Sequence, residues 1–219
     1  MCVNYIFYNY GTIVMQHIDA ILYINLAYRT DRNEHILLEI AKLCNDSSKI
    51  HRIDAIKHDK GAIGCGQSHI KALQYAQSHP EWKTVLILED DFTFLRDKNY
   101  NEMINVLFQT YPQFDVGLPS YNHNELKYTN TKHDSIKKVS YSQTTSSYII
   151  KQHYIPKLIA NLSEAVDSMQ HRGVMHENSI DIYWNNLIRA GNWFCIYPAI
   201  GYQYNNYSDI QNGITNYGC

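Results

Sequence analysis

A chain of 219 residues is long enough for one domain with a real core and too short for two comfortable ones. Its net charge of −2 gives no electrostatic reason to expect nucleic acid or an acidic membrane as a partner. The five cysteines (Cys2, Cys44, Cys65, Cys195, Cys219) are odd in number, widely spread and without CxxC spacing, which argues against a disulfide framework and a structural zinc site and favours a reducing compartment.

No apolar stretch exceeds strand size, so no transmembrane segment is expected. Met1–Met15 is aromatic and moderately apolar but lacks a basic start and a small-residue cleavage site. We expect residues 1–17 to be a poorly structured leader, with Met15 an alternative start, and 18–219 to be one domain. The signal-free chain suits the cytoplasm. Its 19 tyrosines and frequent asparagines fit either the AT-rich codons of a giant virus or AT-rich bacterium, or a surface that faces sugar rings.

In chain order, Ile18–Leu26 predicts a first strand, and the polar loop at Tyr28–Arg32 leads into a helix. Thr30 or Asp31 would cap that helix, which runs to about Cys44 with Ile36, Leu37, Ile40 and Leu43 on one face. Lys49–Ile56 reads as a short strand. Gly61–Gly66 is expected to be a turn and Gln67–Gln77 a helix, ended by Pro80. Thr84–Leu88 is a short apolar run with the look of a strand buried on both faces. A helix at Asn99–Tyr111 and a strand at Phe114–Leu118 follow.

Ser120–Asp134 has no apolar period and is expected to be a long loop, of the kind that often serves as a lid or binding loop. Val139–Tyr141 and Ser147–Lys151 read as strands, His153–Val166 and Asp181–Arg189 as helices, and Trp193–Ile196 as the last strand before a polar, Tyr/Asn-rich tail. Alternating strands and helices in the first half imply βαβ units and a mostly parallel sheet, mixed in the second half.

The most informative residues are Glu89, Asp90 and Asp91, three acids at the carboxyl end of the Thr84–Leu88 strand. Carboxylates crowded there cost electrostatic energy unless a cation or polar ligand shares the space. That end of an open α/β sheet is also where ligands bind. The pattern suggests Mg²⁺ or Mn²⁺, which take hard oxygen ligands. The plainer alternative is one turn-capping acid and two solvated ones.

Several segments in order resemble glycosyltransferase family 25, the lipopolysaccharide-type and procollagen galactosyltransferase-like enzymes. They are YINLAYRTDR (23–32), GAIGCGQSHIKAL (61–73), LILEDDFTF (86–94), TTSSYIIKQHYIPKLI (144–159), SIDIYW around Asp181, and Ser208-Asp209-Ile210. The resemblance spans about residues 20–212. It implies a GT-A-like single domain, a UDP-hexose donor (galactose or glucose), Mn²⁺ or Mg²⁺, a glycan or glycoprotein acceptor, and transfer with inversion.

Carried onto this chain, the resemblance assigns Asp91 as the main metal ligand and Glu89 as a ribose or metal-side group. Asp90 lies beside the donor with its role open. Such enzymes often use a late histidine on the metal, which this chain lacks after His176; Asp209 or a water could fill that position. Inverting transfer needs a base. Asp181 is the candidate, at a helix start that would keep its pKa low, with Glu177 in reserve; capping that helix is the alternative role for Asp181. Arg29 and Arg32 could hold donor phosphate, or form surface ion pairs with Asp31 or Glu34. Ser68 and His69 are expected at a helix amino end facing the donor, with a core histidine as the alternative for His69. Gly61 and Gly64 suit a tight turn. Tyr202, Tyr204 and Tyr207 could stack on a sugar or base, or simply pack the tail. A catalytically inactive sugar- or protein-binding module is the competing reading of the whole chain.

Overall fold

The computed structural model describes residues 16–95, 99–204, 206–208 and 213–215, with only the backbone described in the last two stretches. The expected leader is therefore covered only at residues 16 and 17, where the His17 ring stacks on Phe108 at 4.8 Å.

The elements, in chain order, are β1 (Ala20–Asn25), α1 (Thr30–Ala41), β2 (Ile50–Asp54), α2 (Gly61–Gln77), β3 (Thr84–Glu89), β4 (Phe92–Phe94), α3 (Tyr100–Thr110), β5 (Val116–Leu118), β6 (Lys127–Asn130), β7 (Ile136–Tyr141), β8 (Ser147–Lys151), α4 (Ile155–Arg172), α5 (Ile180–Tyr183), α6 (Asn185–Ala190), β9 (Trp193–Ile196), β10 (Gly201–Gln203), β11 (Asn206–Ser208) and β12 (Gly213–Thr215). Eight strands form one sheet in the order β2-β1-β3-β8-β5-β9-β7-β6. The pairings make β2, β1, β3, β5, β9 and β6 run one way and β8 and β7 the other. The sheet is thus mixed and mostly parallel, as expected.

Strand alternation sorts the core into two layers. Leu22, Ile24, Val85 and Ile87 pack with Ala72, Leu73 and Ala76 of α2 and Leu158, Leu162 and Met169 of α4. Ile21, Tyr23, Leu86 and Leu88 pack on the other face with Ile36 and Ile40 of α1 and Ile104 and Leu107 of α3. β3 is buried from Thr84 to Leu88, so the hydrophobic effect holds it at about 25 cal/mol per Å² of apolar area on both faces. From β1 the chain crosses to β2 on one side and β3 on the other. The carboxyl ends of β1 and β3 therefore border a topological switch point, where such sheets leave a crevice.

Several expectations need correction. Gly61–Gly66 is not a turn, since α2 runs unbroken from Gly61. Gly64 is there for close approach: a Cβ would lie 2.5 Å from the Ile56 carbonyl oxygen. Ser68 and His69 consequently lie about two turns inside α2 and not at its amino end. α1 has no side-chain cap from Thr30 or Asp31. The predicted 181–189 helix divides at Trp184 into α5 and α6. The 120–134 segment is not all loop, because β6 adds to the sheet edge through β7. β4 and β10, absent from the sequence reading, pair with each other. Asn99, read as the first residue of the helix, instead caps α3, accepting from the Glu102 N–H at 3.2 Å.

Candidate active site

A cavity of about 400 Å³ opens at the switch point. The strand period explains its acidic wall. Continuing the alternation of β3, Glu89 falls on the α2 side and Asp90 on the α1 side. Glu89 meets α2 through His69, whose Nε2 lies 3.2 Å from Oε1, and it accepts the Thr145 hydroxyl at 2.6 Å. Asp90 meets α1 through Arg32, whose Nη1 donates to Oδ1 at 2.9 Å, and it accepts Asn25 Nδ2 at 2.7 Å. The same Arg32 Nη1 reaches Asp91 Oδ2 at 3.1 Å. Arg32 is thus a buried counter-ion to the acids, and the surface pairing with Asp31 or Glu34 does not describe it.

Arg29 behaves differently. It forks onto Asp31 at 2.9–3.0 Å and is not part of the cavity lining. Of the two arginines expected at the donor, the structure brings one to the site.

Asp181 lines the cavity opposite, its Oδ2 accepting the Thr144 N–H at 3.1 Å. Thr144 Oγ1 donates to Gln203 Oε1 at 2.6 Å, and Gln203 Nε2 donates to Asp91 Oδ1 at 3.2 Å. A relay of three hydrogen bonds, the first from the Thr144 backbone, therefore joins Asp181 on α5 to Asp91 after β3. Thr144 holds φ +79°, a strained value for a β-branched residue and typical of functional sites. Glu177 is exposed and outside the lining, so the reserve base is not brought to the site. Asp209 and the side chain of Tyr207 lie outside the described residues. Tyr204 packs on His35 at 4.5 Å.

The electrostatics follow from burial. Burial pushes Asp91 up to about 7, with Glu89 and Asp90 adding to it against Arg32. Asp90 is raised mainly by burial despite Arg32 and Asn25. Burial opposes the charge of Glu89 as well, but His69 and Thr145 outweigh it and hold this acid low. Asp181 is raised by burial, in spite of the Thr144 N–H. This corrects the low pKa expected from a helix start: α5 has only four residues, and desolvation outweighs its dipole.

The hard-oxygen set around Asp91 suits Mg²⁺ or Mn²⁺, and its crowding of negative charge is what a divalent ion would relieve. Binding there would require Arg32 to release Asp91. Among the described residues, the His, Cys, Asp and Glu ligand atoms that converge are those of Cys65, His69 and Glu89.

Sequence reasoning missed Asn25, Thr144, Thr145 and Gln203. Asn25 carried a signal, being a polar residue ending an apolar strand. Gln203, in a polar tail, carried none.

Neither a protein-family model nor a curated protein matches the sequence. Solved structures do match in fold. A glycosyltransferase involved in the glycosylation of the major capsid of PBCV-1 superposes with a TM-score of 0.53 at 10% identity, over 89% of this chain and 90% of that one. UDP-glucose pyrophosphorylase complexed with UDP-glucose gives 0.50 at 10% identity, over 84% and 75%. The chain thus has a GT-A-like fold, a mixed and mostly parallel central sheet flanked by helices. No helix among the described residues is long and apolar enough to cross a membrane.

Proposed function

We propose that the protein is an inverting glycosyltransferase of the family 25 kind, a single cytoplasmic domain over residues 18–219. It moves galactose or glucose from a UDP-sugar to a hydroxyl of a glycan or glycoprotein. The observation that carries this reading is the relay Asp181–Thr144–Gln203–Asp91, which sets a base candidate and the acidic wall across one cavity.

The acceptor oxygen attacks the anomeric carbon from the face opposite the diphosphate. As that bond forms, the carbon–phosphate oxygen bond breaks and its electron pair leaves with UDP. Asp181 takes the hydroxyl proton, a task eased by a carboxyl whose pKa burial has raised. The Thr144 N–H keeps the receiving carboxylate aimed into the cavity. Glu89, fixed by His69 and Thr145, orients the donor ribose. Mn²⁺ or Mg²⁺, held by Asp91 with Glu89 and Asp209, would supply positive charge for the departing diphosphate. Arg32 balances Asp90 throughout. The 120–134 segment, which supplies the edge strand β6, would select the acceptor.

The test is product analysis with UDP-glucose and UDP-galactose plus Mn²⁺, on wild type and Asp181→Asn. UDP and an inverted glycoside are expected, with the rate falling about 10²–10⁴-fold in the variant while UDP binding persists. Release of sugar 1-phosphate would instead assign nucleotidyl chemistry. Glycan binding without turnover would assign a binding module.

A further inference from the structure

The α2 wall of the same cavity carries a second donor set, in which Cys65, a residue the transferase reading leaves idle, joins His69 and Glu89. Cys65 and His69 are four residues apart on α2 and so share one helix face. With Glu89 they place a sulfur, a nitrogen and an oxygen within 4.8 Å of one another. We propose that Cys65 Sγ, His69 Nε2 and Glu89 form a second site, sharing Glu89 with the Asp91 set, for a borderline-soft divalent ion of the Zn²⁺ type.

The donor types decide the ion. Thiolate and imidazole select Zn²⁺ over Mg²⁺ or Mn²⁺, unlike the all-oxygen set at Asp91. Tetrahedral zinc separates such ligand atoms by about 3.3–3.6 Å. His69 Nε2 and Glu89 Oε1 already stand 3.2 Å apart, so modest rotamer adjustment closes the rest. The outer shell is also in place. His69 Nδ1 lies 3.0 Å from the buried Tyr148 hydroxyl, and both His69 and Tyr148 are sequestered in the core. That contact can carry the Nδ1 proton and leave the Nε2 lone pair free, as metal-bound histidines need.

All three ligands line the cavity, so a fourth position opens into it for water or a ligand oxygen. The ion replaces the thiol proton, which leaves to solvent, and a Zn–S bond forms. The surrounding carboxylates favour that exchange of a proton for a cation. Because Glu89 would turn from Thr145 toward the ion, Zn²⁺ here competes with the donor-binding arrangement. The site stands whether or not the cavity transfers sugar, and its test does not use transfer.

The full-length, reduced, metal-free protein is titrated with Co²⁺ by absorption and with Zn²⁺ against a chromophoric chelator. One equivalent is expected, with a near-ultraviolet sulfur-to-cobalt band and visible tetrahedral bands. Cys65→Ser should lose the sulfur band and bind at least about tenfold more weakly. Tyr148→Phe should keep the band and lose about 10–100-fold in affinity. Asp91→Asn should keep the band, and Zn²⁺ should raise the melting temperature of wild type more than that of Cys65→Ser. A wild-type titration without the sulfur band overturns the proposal, as does a Cys65→Ser protein that binds like wild type. Loss of the band in Asp91→Asn would merge the two sites and overturn the second one.

Discussion

Arg29 and Arg32 lie three residues apart in one loop and its helix; Arg29 pairs with Asp31 at 2.9 Å and Arg32 with Asp91 at 3.1 Å. The two pairs have opposite electrostatic character. Asp31 is 59% exposed and its partner holds it down at about 2. Asp91 is 7% exposed and, despite its arginine, stands at about 7. Hydration makes the difference. On the surface, water solvates the carboxylate and the arginine adds to that. Asp91 is buried, two further carboxylates crowd in, and one guanidinium does not compensate for three charges.

The largest effect should come from Arg32→Ala, which strips the counter-ion from buried acids. We expect a loss of about 3–5 kcal/mol at pH 8 in urea unfolding, much smaller near pH 5, where Asp91 is protonated. Added Mn²⁺ should restore part of it. Equal losses at both pH values would break the comparison.

Asp91→Asn comes next. A folded pKa of about 7 against an ordinary value of 3.8 means that between those values the native state holds a proton the unfolded state has released. Stability therefore falls as pH rises between those values. Asparagine removes that slope and should stabilise the metal-free protein at pH 8 by roughly 2 kcal/mol, read as the pH profile of the melting temperature. A steeper profile in the variant would contradict the assignment.

Gln203→Leu, which removes the donor to Asp91 Oδ1, should cost about 1.5 kcal/mol at pH 8 and shift the carboxyl titration upward. Two-dimensional NMR of labelled aspartate would follow it. Asp31→Asn should change stability by less than about 1 kcal/mol. Its sign is the reverse: the depressed pKa contributes stability above pH 3.8 that is lost as pH falls through about 2. Raising salt should weaken this pair and leave the Arg32 pairs nearly untouched.

Local sequence determined much of the frame. The apolar run at Thr84–Leu88 demanded a doubly buried strand, the periodicity at Ile36, Ile40 and Leu43 demanded α1 (Leu37, expected on the same face, is exposed), and three acids at a strand end marked the ligand side of the sheet. These are short-range statements, because propensity and burial period act within a dozen residues. The failures were equally physical. Gly61 and Gly64 looked like a turn, since glycine's freedom is visible in sequence while the Ile56 carbonyl pressing on α2 is not. Asp181 looked like a low-pKa helix starter, because its burial depends on α4, on Thr144 and on the cavity around it.

What the sequence alone determined was the strand carrying Glu89–Asp91 and the carboxylate chemistry at its end. Tertiary structure decided their partners: Arg32 for Asp90 and Asp91, His69 for Glu89, and Gln203, over a hundred residues away, for Asp91. The side-chain period of two sends neighbouring acids to opposite faces of the sheet. Only the packed helices on each face determine which charge each acid meets, and how much water remains to share it.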